Sequence, residues 1–379
     1  MVFKDHMLKF GSKYPIGIDI GNRNIYAAQL KENRQGLVIR AFLHREFDEV
    51  GEGIFDAGDA IVPLLRDIVK HGGFRGKRVV VDFPSQYLLN FPVMLQVGKE
   101  ETLEEAILRQ SREYINFPIE EAIIDYPSLE QLPPGDGGKY RVNVIAVRRE
   151  HMNQYLQMLE RAGLSVEAVD FGMSSLIRLH SYPQKSIENP TILCNIGYSQ
   201  SLLSVVTRDS IIVQRHVPWG LHILVRNLQT NLELSDDRNK AKLLLKKYGL
   251  YYEDCLECTA DGMASTAKSE DEGARTMYRA IYQIINPRIE ELVHEFHKII
   301  GYARSEQQNA AFEGIYIYGQ GTLIHHLDSY LEKRLNSPTR LVNPLSKIAL
   351  TDGAILPDLS EGGPYALALG LAMRKVSWL

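Results

Sequence analysis

Two stretches of the chain share one pattern of apolar and polar positions. Residues 16–30 read IGIDIGNRNIYAAQL and residues 192–206 read ILCNIGYSQSLLSVV. Asp19 matches Asn195 and Gly21 matches Gly197, each pair 176 positions apart. In both copies a β-rich apolar run meets an acid or amide, then Ile-Gly, a short polar turn and a second β-rich run. That is the pattern of a glycine-tipped hairpin. A third strand follows each: Leu37-Val38-Ile39-Arg40 after a turn at 32–36, and Ile211-Ile212-Val213-Gln214 after Arg208-Asp209-Ser210. Two copies of a three-stranded meander predict two related cores.

Helical periodicity fills the intervals. Residues 59–70 put Ile61, Leu64, Leu65 and Ile68 on one face, and 101–114 do the same with Leu103, Ile107, Leu108 and Tyr114. Residues 151–162 end at Gly163-Leu164, a C-cap followed by an apolar residue. Helices are predicted at 221–230 and 238–248, with Gly249 as a stop. Residues 276–302 form a longer pattern, which Pro287 kinks or divides into two abutting helices. Gly314 to Tyr318 reads as a strand, Gly319-Gln320-Gly321 as a turn, and Thr322 as the N-cap of a helix to Leu335. A last helix starts at Pro364. Residues 131–139 read as a loop between two strands, and 259–275 as the least hydrophobic and most mobile stretch.

Composition narrows the classes. The 379 residues are 45% apolar and 24% charged, as in soluble globular proteins. The length suggests two or three domains. Lys and Arg number 43 and Asp and Glu 47, a net charge of −4, so there is no electrostatic footprint for nucleic acid. No apolar run approaches the ~18–20 residues of a membrane span. Residues 1–13 lack the apolar core and cleavage site of a secretory leader. Val2, Phe3, Met7, Leu8 and Phe10 interleave with Lys4, Lys9 and Lys13, but the stretch is short and reads as a terminus before a membrane foot. Three cysteines fit a reducing compartment. Cys255 and Cys258 have CxxC spacing, without a second pair or an HxxxH to complete a zinc site. His294 and His297 are three apart, which is not the HExxH spacing.

Glycines at hairpin tips allow tight turns. Two such tips facing each other also present backbone N–H groups to phosphate, and a nearby Asp can hold hydrated Mg²⁺. The order of Asp-Ile-Gly hairpin, second hairpin and strand–Gly-Gln-Gly–helix resembles the actin-like ATPase superfamily. The resemblance narrows through Val79 to Ser85, Phe91-Pro92-Val93, the stretch Phe117-Pro118-Ile119-Glu120-Glu121-Ala122-Ile123-Ile124-Asp125-Tyr126, and Tyr365 to Arg374. Over nearly the full chain it is similar to the PilM family, FtsA-like cytoplasmic proteins of type IV pilus assembly.

The resemblance implies an α/β, actin-like ATPase fold with two duplicated cores and an FtsA-type inserted subdomain. The first core would be 14–80 plus 167–189 and the inserted subdomain 81–166. The second core would be 190–217 plus 311–379, with its own insertion at 218–310. It implies a nucleotide site at Asp19, Gly21, Asn22, Arg23, Asn24, Asn195, Gly197, Ser199, Gly319 and Gly321, holding ATP with Mg²⁺ at Asp19. It implies a partner as well: the cytoplasmic N-terminal tail of a PilN-like bitopic inner-membrane protein. The tail would lie in a groove where Phe83, Leu88, Phe91 and Arg112 are candidates, and the protein would sit in a cytoplasmic ring at the membrane.

Departures from the family pattern bear on the nucleotide. Arg23 stands where small or hydroxylated residues are usual. Asn195 replaces an Asp and cannot supply its carboxylate. Pro218-Trp219-Gly220 stands for Gly-Gly and hydroxyl residues, Lys242 and Leu245 for a Glu and a Lys that meet ribose, and Gly-Gln-Gly for Gly-Gly-x. Together they predict a degenerate ATP cleft in an assembly scaffold. The alternative from the same resemblance is an active ATPase or small-molecule kinase using Asp82 or Asp170 as base. An FtsA-like filament former is a third class.

Overall fold

The computed structural model describes residues 14–34, 36–47, 54–55, 58–132, 139–182, 187, 189–208, 211–234, 237–250, 271–306, 312–351 and 361–374. The Cys255–Cys258 pair, residues 1–13, most of the 131–139 loop and residues 259–270 lie outside them.

The first meander forms as the alternation predicts. Strands β1 (Ile16–Ile20), β2 (Asn24–Asn33) and β3 (Gly36–Glu46) are antiparallel neighbours. Helix α1 (Gly58–His71) returns the chain to β4 (Arg78–Asp82), which runs parallel to β1. The chain then leaves the sheet. Strands β5 (Leu88–Gln96), β6 (Ala122–Gln131) and β7 (Lys139–Arg148) make a separate three-stranded sheet in the order β5-β7-β6. Helix α2 (Leu103–Ser111) covers one face with Ala106 and Ile107. It starts two residues later than periodicity suggests, because Thr102 and Glu105 close a capping box. Helix α3 (Arg149–Arg161) leads to β8 (Ser165–Asp170), parallel to β4, and then to α4 (Gly172–His180).

The second meander repeats the first: β9 (Thr191–Ile196), β10 (Ser201–Val206) and β11 (Ile211–Val217) are antiparallel. Helices α5 (Leu221–Asn231), α6 (Arg238–Lys247) and α7 (Asp271–Glu306) follow. Helix α7 is a single element of 36 residues through Pro287, and it begins inside the stretch expected to be polar loop. Strand β12 (Ile315–Gly319) lies parallel to β9 as β4 does to β1. Helix α8 (Leu327–Leu335), β13 (Thr339–Leu341), β14 (Ala349–Leu350) and α9 (Ala366–Ala372) complete the described chain.

Two expectations need correction. Residues 311–379 do not all join the second core. Strand β14 pairs with β3, and α9 packs on β1, β2 and β4. Helix α9 is apolar on every side, ALALGLA, and is buried throughout in the first core. Gly17 on β1 makes room for it: a Cβ there would stand 2.0 Å from the Ala368 carbonyl oxygen. The position 176 residues later is Leu193, which is fully buried. The second correction concerns Thr322. It donates its hydroxyl to the Gly319 carbonyl (2.8 Å) inside a 3-10 turn, Gln320–Leu323. The helix begins five residues later, after His326 in the left-handed region (φ 61°).

Candidate functional site

The two hairpin tips have the same backbone. Gly21 N donates to Asn24 O and Gly197 N donates to Gln200 O, each at 2.9 Å. The parallel strands β4 and β12 bring their own C-terminal ends to these tips. Asp19, Gly21, Asn22, Asn24, Asn195, Gly197, Ser199 and Gly319 all line one cavity, with Asp82, Phe83, Ser85, Leu88, Tyr198 and Gln200. The structure therefore brings the sequence-predicted hairpin residues together. Gly321 is buried just behind Gly319, and Arg23 is buried beside the tip.

The cavity is about 120 Å³, well below the ~300–1,000 Å³ of ordinary small-molecule sites. Several side chains meet in or beside it. The Arg23 guanidinium stands 5.5 Å from the centre of the Tyr198 ring, so one hairpin tip meets the other. Gln200 Nε2 donates to Ser85 Oγ at 2.6 Å. Lys242 Nζ is 2.8 Å from Glu46 Oε2 and 5.8 Å from the Tyr198 ring centre, tying α6 to the end of β3. Gln320 Nε2 donates to the Tyr26 hydroxyl at 3.4 Å.

The amides that start α5 are also engaged. Leu221 N donates to Gly197 O (3.1 Å) and His222 N to Tyr198 O (2.9 Å). Such helix-start amides otherwise suit an anion. Gly319 has φ 74°, and a Cβ there would stand 2.4 Å from Asn195 Oδ1. The turn glycine therefore lets β12 close against the amide that replaces the second acid. With Thr322 in a 3-10 turn, no helix start follows Gly321 to face a phosphate.

Three acids stand at the carboxyl ends of β1, β4 and β8. Burial pushes the Asp19 carboxyl up to about 7, although it keeps some surface open to the cleft. Asp82 is raised well above the usual carboxylate range by burial, then by Asp19 and Asp170. Its Oδ1 is buried without a hydrogen-bond partner. Asp170 is held by Arg178 (3.0 Å) and Arg374 (2.9 Å), an arrangement that joins α4 and the end of α9 to β8. Among the described residues, no three His, Cys, Asp or Glu side chains are placed to hold a metal ion together. In this conformation the space between the tips is smaller than a nucleotide triphosphate needs.

Next to this cavity, along β3, lies a larger one of about 860 Å³. His44 on its wall is stacked on Tyr26 (4.5 Å between ring centres) and its Nε2 is 2.6 Å from Asn24 Oδ1. Burial lowers its pKa to about 4, so the ring is neutral and donates to Asn24.

The four groove candidates do not share a surface. Phe83 and Leu88 are buried in the first core, Phe83 with its ring edge on Tyr155. Phe91 is buried in the inserted subdomain and stacks on Tyr114 at 4.7 Å. Arg112 is exposed at the end of α2. Sequence reasoning missed Tyr198, Glu46 and Gln200. Tyr198 occupies the repeat position of Asn22, which the 176-residue offset could have exposed. Nothing local marks a pair 196 residues apart such as Glu46 and Lys242.

A family model described as type IV pilus assembly protein PilM matches residues 17–266 and 263–376. The chain is similar to a solved structure described as a PilM-PilN type IV pilus biogenesis complex, with TM-score 0.75 and 21% identity over 96% of this chain and 98% of that one. It is also similar to the ethanolamine utilization protein EutJ from Carboxydothermus hydrogenoformans, with TM-score 0.54 and 12% identity over 95% and 89%. The fold is actin-like α/β.

Proposed function

This chain belongs to the type IV pilus assembly PilM family, and from that premise we propose that it is a cytoplasmic scaffold of the pilus inner-membrane platform. Its ligand is the N-terminal tail of a PilN-like bitopic membrane protein. The family match along nearly the whole chain carries this reading. Its likeness to a chain of a PilM-PilN complex supports the choice of partner. No described helix is long and apolar enough to cross a membrane, and on this reading attachment runs through the tail.

The tail docks as an extended peptide between the first core and the three-stranded subdomain, by main-chain hydrogen bonds and a few apolar anchors. The subdomain offers exposed apolar side chains: Tyr114 (47%) on its stack with Phe91, Met94 (50%) and Leu108 (41%). Arg112 lies between Phe91's partner Tyr114 and α2 in sequence and is solvent-accessible. Phe83 and Leu88 support the groove from within the core.

The hairpin cleft is degenerate for Mg-ATP on this reading. The Arg23–Tyr198 and Lys242–Glu46 contacts and the Asn195 amide support that conclusion. Any ATP the protein holds biases closure of the two cores and is not turned over.

Co-purification tests the scaffold reading. The full chain, expressed with a neighbouring PilN-like membrane protein, is expected to retain that protein through its cytoplasmic tail. Deleting the tail should release it. Failure to retain any such protein would overturn the reading.

A further inference from the structure

The large cavity beside the hairpins has an uneven charge along its length. Residues of β3 line it, among them Arg40, Phe42, His44 and Glu46. Phe42, His44 and Glu46 share a face by period two, and Arg40, at the register shift opposite Gln29 and Leu30, lines the same cavity. Six residues of extended strand separate Arg40 from Glu46, about 20 Å. At the Glu46 end the acids are answered, Glu46 by Lys242 and Glu361 by Lys246. At the other end stand Arg40 and Lys31, and among the described residues neither meets a carboxylate.

Arg40 is half-buried, and its Nε is buried without a hydrogen-bond partner. Burial, then the neighbouring Arg75 charge, lowers its pKa. Among the described residues the Arg40 guanidinium stands near a second cation with its Nε buried and unpartnered, an arrangement that an anion would complete. The space in front of it, about 860 Å³, is of the size that accommodates nucleotides and comparable metabolites.

We propose that the far end of this cavity is a Mg²⁺-independent site for a phosphate-bearing small molecule. Its phosphate sits on Arg40 and Lys31, and the rest of the ligand lies along β3 toward Phe42 and His44. Neutral His44 and the buried edges of Phe42 and Tyr365 give that part of the floor an apolar, aromatic character. Arg40 binds phosphate through its planar fork and Lys31 as a point charge. The phosphate end of the site uses neither Asp19 nor the glycine amides of the hairpin tips, although Asn24 and Gln320 line the same cavity further along. The inference rests on the reading that the hairpins are closed to Mg-ATP, and is independent of tail binding.

Calorimetric titration of the full chain with ATP and with pyrophosphate, both in EDTA, tests it. Binding of at least one probe is expected. Binding of both assigns recognition to phosphate alone, and binding of ATP only assigns part of it to the cavity floor. Arg40→Gln is expected to weaken binding about ten- to a hundredfold, and Arg40→Lys by less. Exposed Lys31→Gln, which leaves the core untouched, is expected to weaken it several-fold and decides the matter should Arg40→Gln not fold. Asp19→Asn is expected to change nothing. Binding of neither probe overturns the proposal. So does binding that requires Mg²⁺ and Asp19 and ignores Arg40 and Lys31, an outcome that would also reopen the hairpin site. Neither result bears on retention of the membrane partner.

Discussion

The two hairpins are the same backbone with different chemistry. Both tips close with one 2.9 Å hydrogen bond from a glycine amide, and both central strands are flanked by an antiparallel and a parallel neighbour. Around that frame the residues diverge at matching positions. Asp19 faces Asn195, Arg23 matches Ser199, Asn22 matches Tyr198 and Gly17 matches Leu193. Backbone geometry is preserved because the strand pairing requires it. The side chains at the tips have no such constraint, and here they meet each other where a symmetric pair would leave a gap for phosphate. A duplicated fold therefore preserves its strand frame while the side chains at its tips are free to diverge.

Exchanging residues between the two copies tests this contrast. The largest effect is expected from Gly17→Leu, which places the second core's residue in the first. The α9 backbone stands against that position, so about 3 kcal/mol or more of stability should be lost, read by denaturant unfolding. A variant as stable as the parent would mean that α9 does not pack on β1.

Asp19 gives the next effect. The native state holds its proton up to about pH 7, whereas the unfolded chain releases it near 3.8. The native state therefore binds more protons in that interval, and stability falls as pH rises through it. The expected loss is roughly 2–4 kcal/mol from about pH 4 to about pH 7. Asp19→Asn, the residue of the second copy, should flatten the unfolding midpoint over that window. An unchanged slope would mean that Asp19 titrates as an exposed carboxyl.

Arg23→Ser removes the contact with Tyr198 and makes the first tip resemble the second. A loss of about 1 kcal/mol is expected in thermal or denaturant unfolding. Lys242→Ala should cost less, roughly 0.2–1 kcal/mol, because its pair with Glu46 keeps part of its surface in water. Its clearer signature is faster hydrogen exchange at residues 22–24 and 198–200. Exchange as slow as in the parent would remove that pair from the closure of the cleft.

Much of the fold was legible because strand and turn patterns are local. The offset between Asp19 and Asn195 located both meanders, whereas the register shift that places Arg40 with Phe42 and His44 along one cavity has no local signal. Packing between distant segments was not legible. ALALGLA announces a buried helix but not which core buries it, and chain order pointed to the wrong one. Thr322 has good N-cap chemistry, yet the tight turn after Gly319 uses its hydroxyl first. Phe83 and Leu88 join the first core and line the cavity between the hairpin tips, and neither is open to the outer surface. Nothing in the order of residues joins Lys242 to Glu46.

Titration of the full chain with a fluorescent peptide of the PilN-like tail tests the scaffold account most directly. Saturable binding is expected, equal in EDTA and in excess Mg²⁺ with ATP, and unchanged by Asp19→Asn. No binding, or binding that depends on Mg²⁺ and on Asp19, would contradict it.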